Sequence, residues 1–389
     1  MECTTLRTMS DSKTRRWLLG SGLLATGGIT GGAWWLLADT PDLWDKEVPF
    51  LTDASVFYNK WDAKKRDPVF WVAALTRPDV QVLEWSGDGE EFSLQIDGDA
   101  AKGAVVFTYD EILASATAEG LVTLLKTMQC CGDGPEVRLA SNAVWSGVPL
   151  RRLLDPLLGP GAKRLRVHSP DGFTSNLRIS DLDTPDGRQT LLAFEMNGQR
   201  LPHARGGPVR LIVPDRFGFK NVKWPRRIEV TQEDGAWGNH EVDSGAGTDD
   251  GKMTLGSKIL SPNLGKTNPS ATIDIRPLVL RGVAFGGTEP IQRVQIRIGG
   301  PDQPWRTAKL PIPKELETHP EARRAWTERE RKWPLPDVWT PWVFKWSPPE
   351  AGDYDVVVKA STSSAQQPEF DDDRLDADSS WALGTIRVV

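Results

Sequence analysis

The sequence predicts an α+β domain followed by an all-β sandwich, with one apolar helix-length segment in front. Three observations carry this. A chain of 389 residues is too long for one ordinary domain. Up to about residue 256, strand-like alternation is mixed with helix-like runs and follows no strict βαβ rhythm. Beyond it, short strands recur with turn residues between them, as in a sandwich. With 39% hydrophobic and 26% charged residues the chain can bury a core without disulfide staples. Its net charge of −6 excludes a general nucleic-acid-binding surface, which must be basic.

The elements follow in order. Residues 1–16 form a tail ending in Arg15 and Arg16, and 17–38 are uncharged and long enough to span a bilayer as a helix. Paired arginines before such a segment read as a twin-arginine export signal, or as the positive-inside flank of an ordinary anchor. The residues before Asp39 lack the small-x-small pattern of a cleavage site, so the segment is expected to remain as an anchor on the exported, periplasmic side of the membrane. Residues 39–49 are an acidic, proline-containing linker. In the α+β domain, 50–256, strands are expected at 80–85, 92–96, 122–128 and 165–168, a short helix from Tyr109, and a turn then a helix over 145–154. Residues 257–266 read as linker, opening the sandwich of 257–389. Its strands are expected at 272–275, 279–283, 293–298, 343–346, 354–360 and 383–388, and 314–332 as a charged, solvated surface helix.

Two stretches carry chemistry. Cys130 and Cys131 precede Gly132; the remaining cysteine, Cys3, lies before the apolar segment. The pair reads either as small buried hydrophobes or a vicinal disulfide, or as a functional thiolate. Zinc is disfavoured because structural sites use four Cys or His ligands, whereas a thiolate suits a softer transition metal. Some eighty residues on, 200–227 holds eight basic residues (Arg200, Arg205, Arg210, Arg216, Lys220, Lys223, Arg226, Arg227) against the single acid Asp215. Gly206, Gly207 and Gly218 allow close backbone approach, and Val209, Leu211, Ile212, Val213 and Val222 thread apolar residues among the charges. Some of these cations must therefore line an interior anion site.

Met128-Gln129-Cys130, with Asn142-Ala143-Val144-Trp145-Ser146-Gly147-Val148-Pro149-Leu150, resembles the molybdenum-ligand segment of the sulfite oxidase family. Gly207-Pro208-Val209-Arg210-Leu211-Ile212-Val213-Pro214 and Phe217-Gly218-Phe219-Lys220-Asn221-Val222-Lys223-Trp224 are similar to its molybdopterin-binding segment. Gly282-Val283-Ala284-Phe285-Gly286-Gly287 and Trp342-Val343-Phe344-Lys345-Trp346 resemble its Ig-like dimerisation domain. The resemblance implies a Mo-molybdopterin cofactor with Cys130 as the thiolate on the metal. It implies Arg210 and Lys223 at the pterin phosphate, with Lys220 in the same segment and the backbone of Asn221, Val222 and Lys223 beneath. Tyr58 and Asn59 resemble a pterin-contacting turn, Ser169 lies where a polar contact to the metal centre is found, and Arg205 stands where the family has His or Asn.

The resemblance further implies oxygen-atom transfer to or from a small molecule, a homodimer, and electrons exchanged with another protein, a cytochrome or membrane haem protein. The chain itself has no Cys-x-x-Cys-His motif and no ferredoxin-like cysteine run. The family's active-site tyrosine is missing, since no Tyr lies between Tyr109 and Tyr354, and its sulfite-contacting arginine has no clear equivalent near Asn59 and Lys60. The expected substrate is therefore atypical for the family, neutral or larger than sulfite. Two alternatives stand beside this reading: a non-catalytic member of the fold, and a thiol-redox protein using Cys130 and Cys131.

Overall fold

The computed structural model describes residues 50–51, 92–116, 120–131, 140–235, 237–238, 251–262, 264, 269–370 and 379–389. The apolar segment 17–38, the linker 39–49, the strand expected at 80–85, and Tyr58, Asn59 and Lys60 lie outside the described residues. Among those described, no helix is long and apolar enough to cross a membrane.

The first half is built from strands β1 (Ser93–Asp97), β2 (Val105–Thr108), β3 (Val122–Gln129), β4 (Ala140–Pro149), β5 (Arg164–His168), β6 (Thr174–Arg178), β7 (Leu191–Met196), β8 (Gln199–Arg200), β9 (Arg210–Ile212) and β10 (Arg227–Thr231). They form one sheet in the order β2-β1-β10-β5-β6 and a second in the order β3-β4-β7-β8, with β9 pairing β7. Leu94 and Ile96 of β1, Leu165 and Val167 of β5 and Ile228 and Val230 of β10 meet Val148 of β4, Leu192 and Phe194 of β7 and Leu211 of β9 in one core. The alternation in β1, β5 and β10 points their apolar side chains inward and most of their polar ones to the opposite, less buried face, the pattern of a half-buried sheet.

The helices of this half are short, so the expected α+β character gives way to a mostly β structure. Helix α1 (Tyr109–Ala114) begins where expected, on a reciprocal cap in which Glu111 N donates to Thr108 Oγ1 and Thr108 N donates to Glu111 Oε2. Helix α2 (Arg151–Leu154) is one turn. The turn expected from Trp145-Ser146-Gly147 is instead the middle of β4, whose ten residues are all buried. Burial on both faces removes the period-two signal that marks a strand. Gly147 serves close approach: the β4–β7 register shifts between Ser146 and Gly147, and a Cβ there would lie 2.2 Å from Leu192 O.

The second half comprises β11 (Gly256–Ser261), β12 (Ser270–Ile273), β13 (Leu278–Phe285), β14 (Arg293–Ile298), β15 (Arg306–Thr307), β16 (Thr340–Trp346), β17 (Gly352–Ser361) and β18 (Ala382–Val388). A three-stranded sheet, β11-β13-β16, faces a five-stranded one, β12-β18-β17-β14-β15. Leu280 and Trp342 from the first and Ile296, Val356, Val358 and Ile386 from the second share the core of this sandwich. Residues 257–261 are not linker: they pair antiparallel with β13 as part of β11. The expected surface helix over 314–332 is two short helices, α3 (Glu315–Thr318) and α4 (Pro320–Thr327). One face of the pair is buried: Leu316, Ala322, Ala325 and Trp326 pack with Leu125 of β3 and Val144 of β4. This insertion, charged on its outer side, thus joins the two halves.

Candidate functional site

The site grows from the end of β3. That strand is paired with β4 and buried from Thr123 to Gln129. It delivers Cys130 and Cys131, 7% and 2% exposed, neither of them in a disulfide. Both belong to the same core cluster as Val209, Phe217, Phe219 and Val222 of the basic segment. The structure therefore brings the two stretches singled out in the sequence into one interior.

The basic segment is interior as expected, with Arg205, Arg210, Arg216 and Lys220 all 5% exposed or less. Arg210 opens β9; its Nε and Nη2 donate to Asn221 O at 3.2 and 3.0 Å, and Nη1 to Arg205 O at 2.8 Å. Its Nη2 lies 3.5 Å from the sulfur of Met128, two residues before Cys130, and its guanidinium sits 5.5 Å from the Trp145 ring. Lys220 donates to Asn176 O on β6 at 2.8 Å. Lys223 is half-buried, its ammonium 5.4 Å from the Trp224 ring. Arg205 ends a short 3-10 turn (His203–Arg205) that closes on Gly206, whose φ of 100° suits glycine. A Cβ on Gly206 would lie 2.9 Å from Lys223 Cγ and 3.2 Å from Arg210 Cδ, so the glycine keeps both cations against the turn.

Two predicted residues have a structural task as well. The Asn221 side chain accepts from Val213 N at 2.8 Å and donates to Phe217 O at 2.8 Å, stapling the segment to itself. Its own N–H goes to Gly218 O and Val222 O accepts from Leu211 N, so part of the expected backbone cradle is engaged within the protein. Ser169 follows β5 and is 8% exposed, and its Oγ is buried without a hydrogen-bond partner. A buried hydroxyl left unmatched costs free energy, and a bound group would satisfy it.

The sequence reading missed a cluster of four charges behind the site. Lys126 on β3 donates to Arg216 O at 3.1 Å and to the Asp337 carboxylate at 3.3 Å. Arg188 forks onto Asp215 and reaches Asp337 Oδ2 at 3.5 Å. Asp337 also accepts from Asp215 N at 2.9 Å through Oδ2 and from Thr127 N at 2.6 Å through its carbonyl. All four side chains are 4% exposed or less. Burial pushes Asp337 up to about 6 and Lys126 down, while the facing carboxylates hold Arg188 above its ordinary value. One clue was present: a lysine inside Leu124-Leu125-Lys126-Thr127-Met128 needs a buried acid.

On the outer face of the first sheet the same residue types meet water. Arg227 donates to Asp97 Oδ1 at 2.9 Å, Arg166 Nη1 lies 3.4 Å from Glu229 Oε1, and His168 Nε2 is 3.4 Å from Glu229 Oε2. Trp237 covers part of this face, 5.1 Å from the His168 ring. Burial lowers the His168 pKa; Glu229 raises it by hydrogen bonding and Arg227 lowers it further by its charge.

Comparison with known proteins follows the same geometry. Residues 80–237 match the oxidoreductase molybdopterin binding domain, a span that includes Cys130, Ser169 and the whole basic segment. Human mitochondrial sulfite oxidase is 31% identical over 253 residues, 54% of this chain and 44% of that protein. The rat enzyme is 29% identical over 319 residues, 71% of this chain and 53% of that protein. NADH nitrate reductase 2 of Phaseolus vulgaris is 28% identical over 207 residues, 45% of this chain and 23% of that protein. The chain thus spans about half or less of these relatives' length. The sulfane dehydrogenase SoxCD from Paracoccus pantotrophus shares the fold, with a TM-score of 0.56 over 74% of this chain and 70% of that one at 22% identity. With its cysteine strand and basic segment inside the matched domain, the chain is similar to the molybdopterin-dependent oxidoreductases of the sulfite oxidase type.

Proposed function

We propose that the protein transfers an oxygen atom to or from a small molecule at a molybdenum held by Cys130 and molybdopterin, exchanging electrons with a separate carrier protein. The observation that carries this reading is the shared interior of a buried cysteine pair and a buried cationic segment. The residues present fit the group. Cys130 offers one soft ligand. Arg205, Arg210, Lys220 and Lys223 offer positive charge for a phosphate at a glycine turn, and Ser169 offers a buried hydroxyl. When bound, the cofactor supplies a metal centre able to exchange an oxygen atom and two electrons.

The chain's residues bind and orient. The cations hold an anionic ligand in place. Phe217, Phe219, Val222 and Met253 wall the interior and limit water. Sulfite, a compact dianion, needs fixed cations beside the metal. With Arg210 and Lys223 assigned to the phosphate, Lys60 and Arg205 are the candidates left, and the tyrosine hydroxyl is missing. A neutral or larger substrate such as a sulfoxide fits better. The twin-arginine segment is read as export followed by anchoring, and the C-terminal sandwich as an Ig-like unit forming a two-fold dimer.

Molybdenum and pterin analysis of the purified protein, with dye-linked assays on sulfite and on methionine sulfoxide, tests the reading. Expected are molybdenum in the wild type, a clear preference for the sulfoxide, and loss of turnover in Cys130→Ser with far milder loss in Cys131→Ser. Metal-free protein whose thiol titre changes with reductant would make it a thiol-redox protein. Metal-free and redox-silent protein would make it a non-catalytic member of the family.

A further inference from the structure

The candidate site is assembled from two stretches that approach from different directions, β3 with its cysteines and the segment 205–223. What holds them at a fixed separation is not covalent: Cys130 and Arg210 are eighty positions apart in the chain. The charges behind the site link them directly. Lys126, four residues before Cys130, donates to Arg216 O, four residues before Lys220, at 3.1 Å. Asp337, from the second half of the chain, binds the Lys126 ammonium on one side and the Asp215 N–H, at 2.9 Å, on the other.

Asp337 is itself rigidly placed. It has a φ of 59°, its N–H donates to Gly287 O at 2.9 Å, and its carbonyl accepts from Thr127 N. Two residues on, Trp339 N donates to Thr127 Oγ1 at 2.6 Å. One short stretch of the second half therefore touches both arms of the site, the cysteine strand through backbone and side chain and the basic segment through the Asp337 carboxylate.

We infer that Lys126 and Asp337 are positioning residues, a clamp by which the second half of the chain sets the spacing between the cysteine strand and the anion-binding segment. This deepens the proposed function and rests on it for the identity of the group held. The C-terminal sandwich then has a task beyond any association between copies: the site of one chain is fully ordered only with its own second half docked. Neither residue touches the cofactor or substrate in this reading; both act through the backbone of the segments they join.

The test uses the full chain. Asp337→Asn removes one acid from a balanced buried set and can unfold the protein, so the informative variant is the double replacement Lys126→Met with Asp337→Leu. It removes an ion pair in favour of apolar side chains and leaves Arg188 matched by Asp215. Asp353→Asn, at an exposed pair with Arg387 in the same sandwich, is the control. Two readouts are taken: amide hydrogen exchange, and retention of molybdenum and pterin after dialysis.

The clamp predicts that exchange in 124–129 and 213–222 accelerates together by about tenfold, the loss of roughly one net hydrogen bond, while β1, β10 and β14 keep their protection. It also predicts cofactor retention weakened by about tenfold or more, the usual consequence of losing an outer support of a metal site. Unchanged exchange in either segment, or acceleration spread over every strand, overturns it. Wild-type protein without molybdenum would sink the cofactor reading alone, and the exchange comparison would still decide the clamp.

Discussion

Two charged regions of this molecule use the same residue types with opposite consequences. Behind the cysteines, Lys126, Arg188, Asp215 and Asp337 are sealed from water between the two halves of the chain. On the outer face of the first sheet, Asp97, Arg227, Glu229, Arg166 and His168 alternate across neighbouring strands with water on one side. Solvent screens the second set, whose pairs are individually weak. The first set has lost its hydration, so each charge depends on its partners and removal of one leaves another stranded. Burial rather than residue identity converts a charge pair into an architectural bond.

The sharpest break of this comparison is Arg188→Ala. It strands Asp215 and weakens the support of Asp337, and chemical denaturation should show a loss of about 3–5 kcal/mol. A loss below about 1 kcal/mol would mean that water enters the seam and the two regions are alike. Next in size is the double replacement of Lys126 by Met and Asp337 by Leu. The same denaturation experiment should find it less costly than either single change, because a matched pair is removed rather than broken.

Third, a double-mutant cycle on Arg166 and Glu229 measures the outer face. Its coupling should be about 0.2–1 kcal/mol and should shrink on raising salt to 1 M. A salt-insensitive coupling of several kcal/mol would contradict the contrast drawn above.

The smallest effect belongs to His168. Its folded pKa lies below the ordinary 6.5, so between the two values the unfolded chain binds more protons than the native one. The stability carried by the neutral imidazole is present above pH 6.5 and is lost as pH falls through the folded value. The stability difference between wild type and His168→Asn should be flat above about pH 7 and change only below it. A flat difference down to pH 5 would show that His168 titrates alike in both states.

Strands of the second half such as β14 and β18 are legible in the sequence because one face is less buried than the other. Alternation places 293–298 at the observed bounds and the others within a few residues. β4 was read as a turn because both its faces are covered, which erases alternation, and Ser146-Gly147 there marks a bulge rather than a reversal. β11 reads as linker in the sequence because Pro262, Asn263 and Gly265, just beyond it, dominate the local pattern. The charged insertion was read as solvated because its outer side outnumbers the buried Leu316, Ala322, Ala325 and Trp326.

The site divides in the same way. Composition alone determined that 200–227 concentrates cations in an acidic chain and threads apolar residues among them. Adjacency alone determined that two cysteines precede a glycine. Only the tertiary structure decided that these stretches share one interior, that the Asn221 side chain is spent inside its own segment, and that Asp215 answers Arg188 rather than a cation of its own segment. The reason is physical: patterns of polarity and spacing are local and survive in a linear reading. The partner of a buried charge is chosen by which surfaces meet, and Lys126 meets Asp337 across 211 positions of chain.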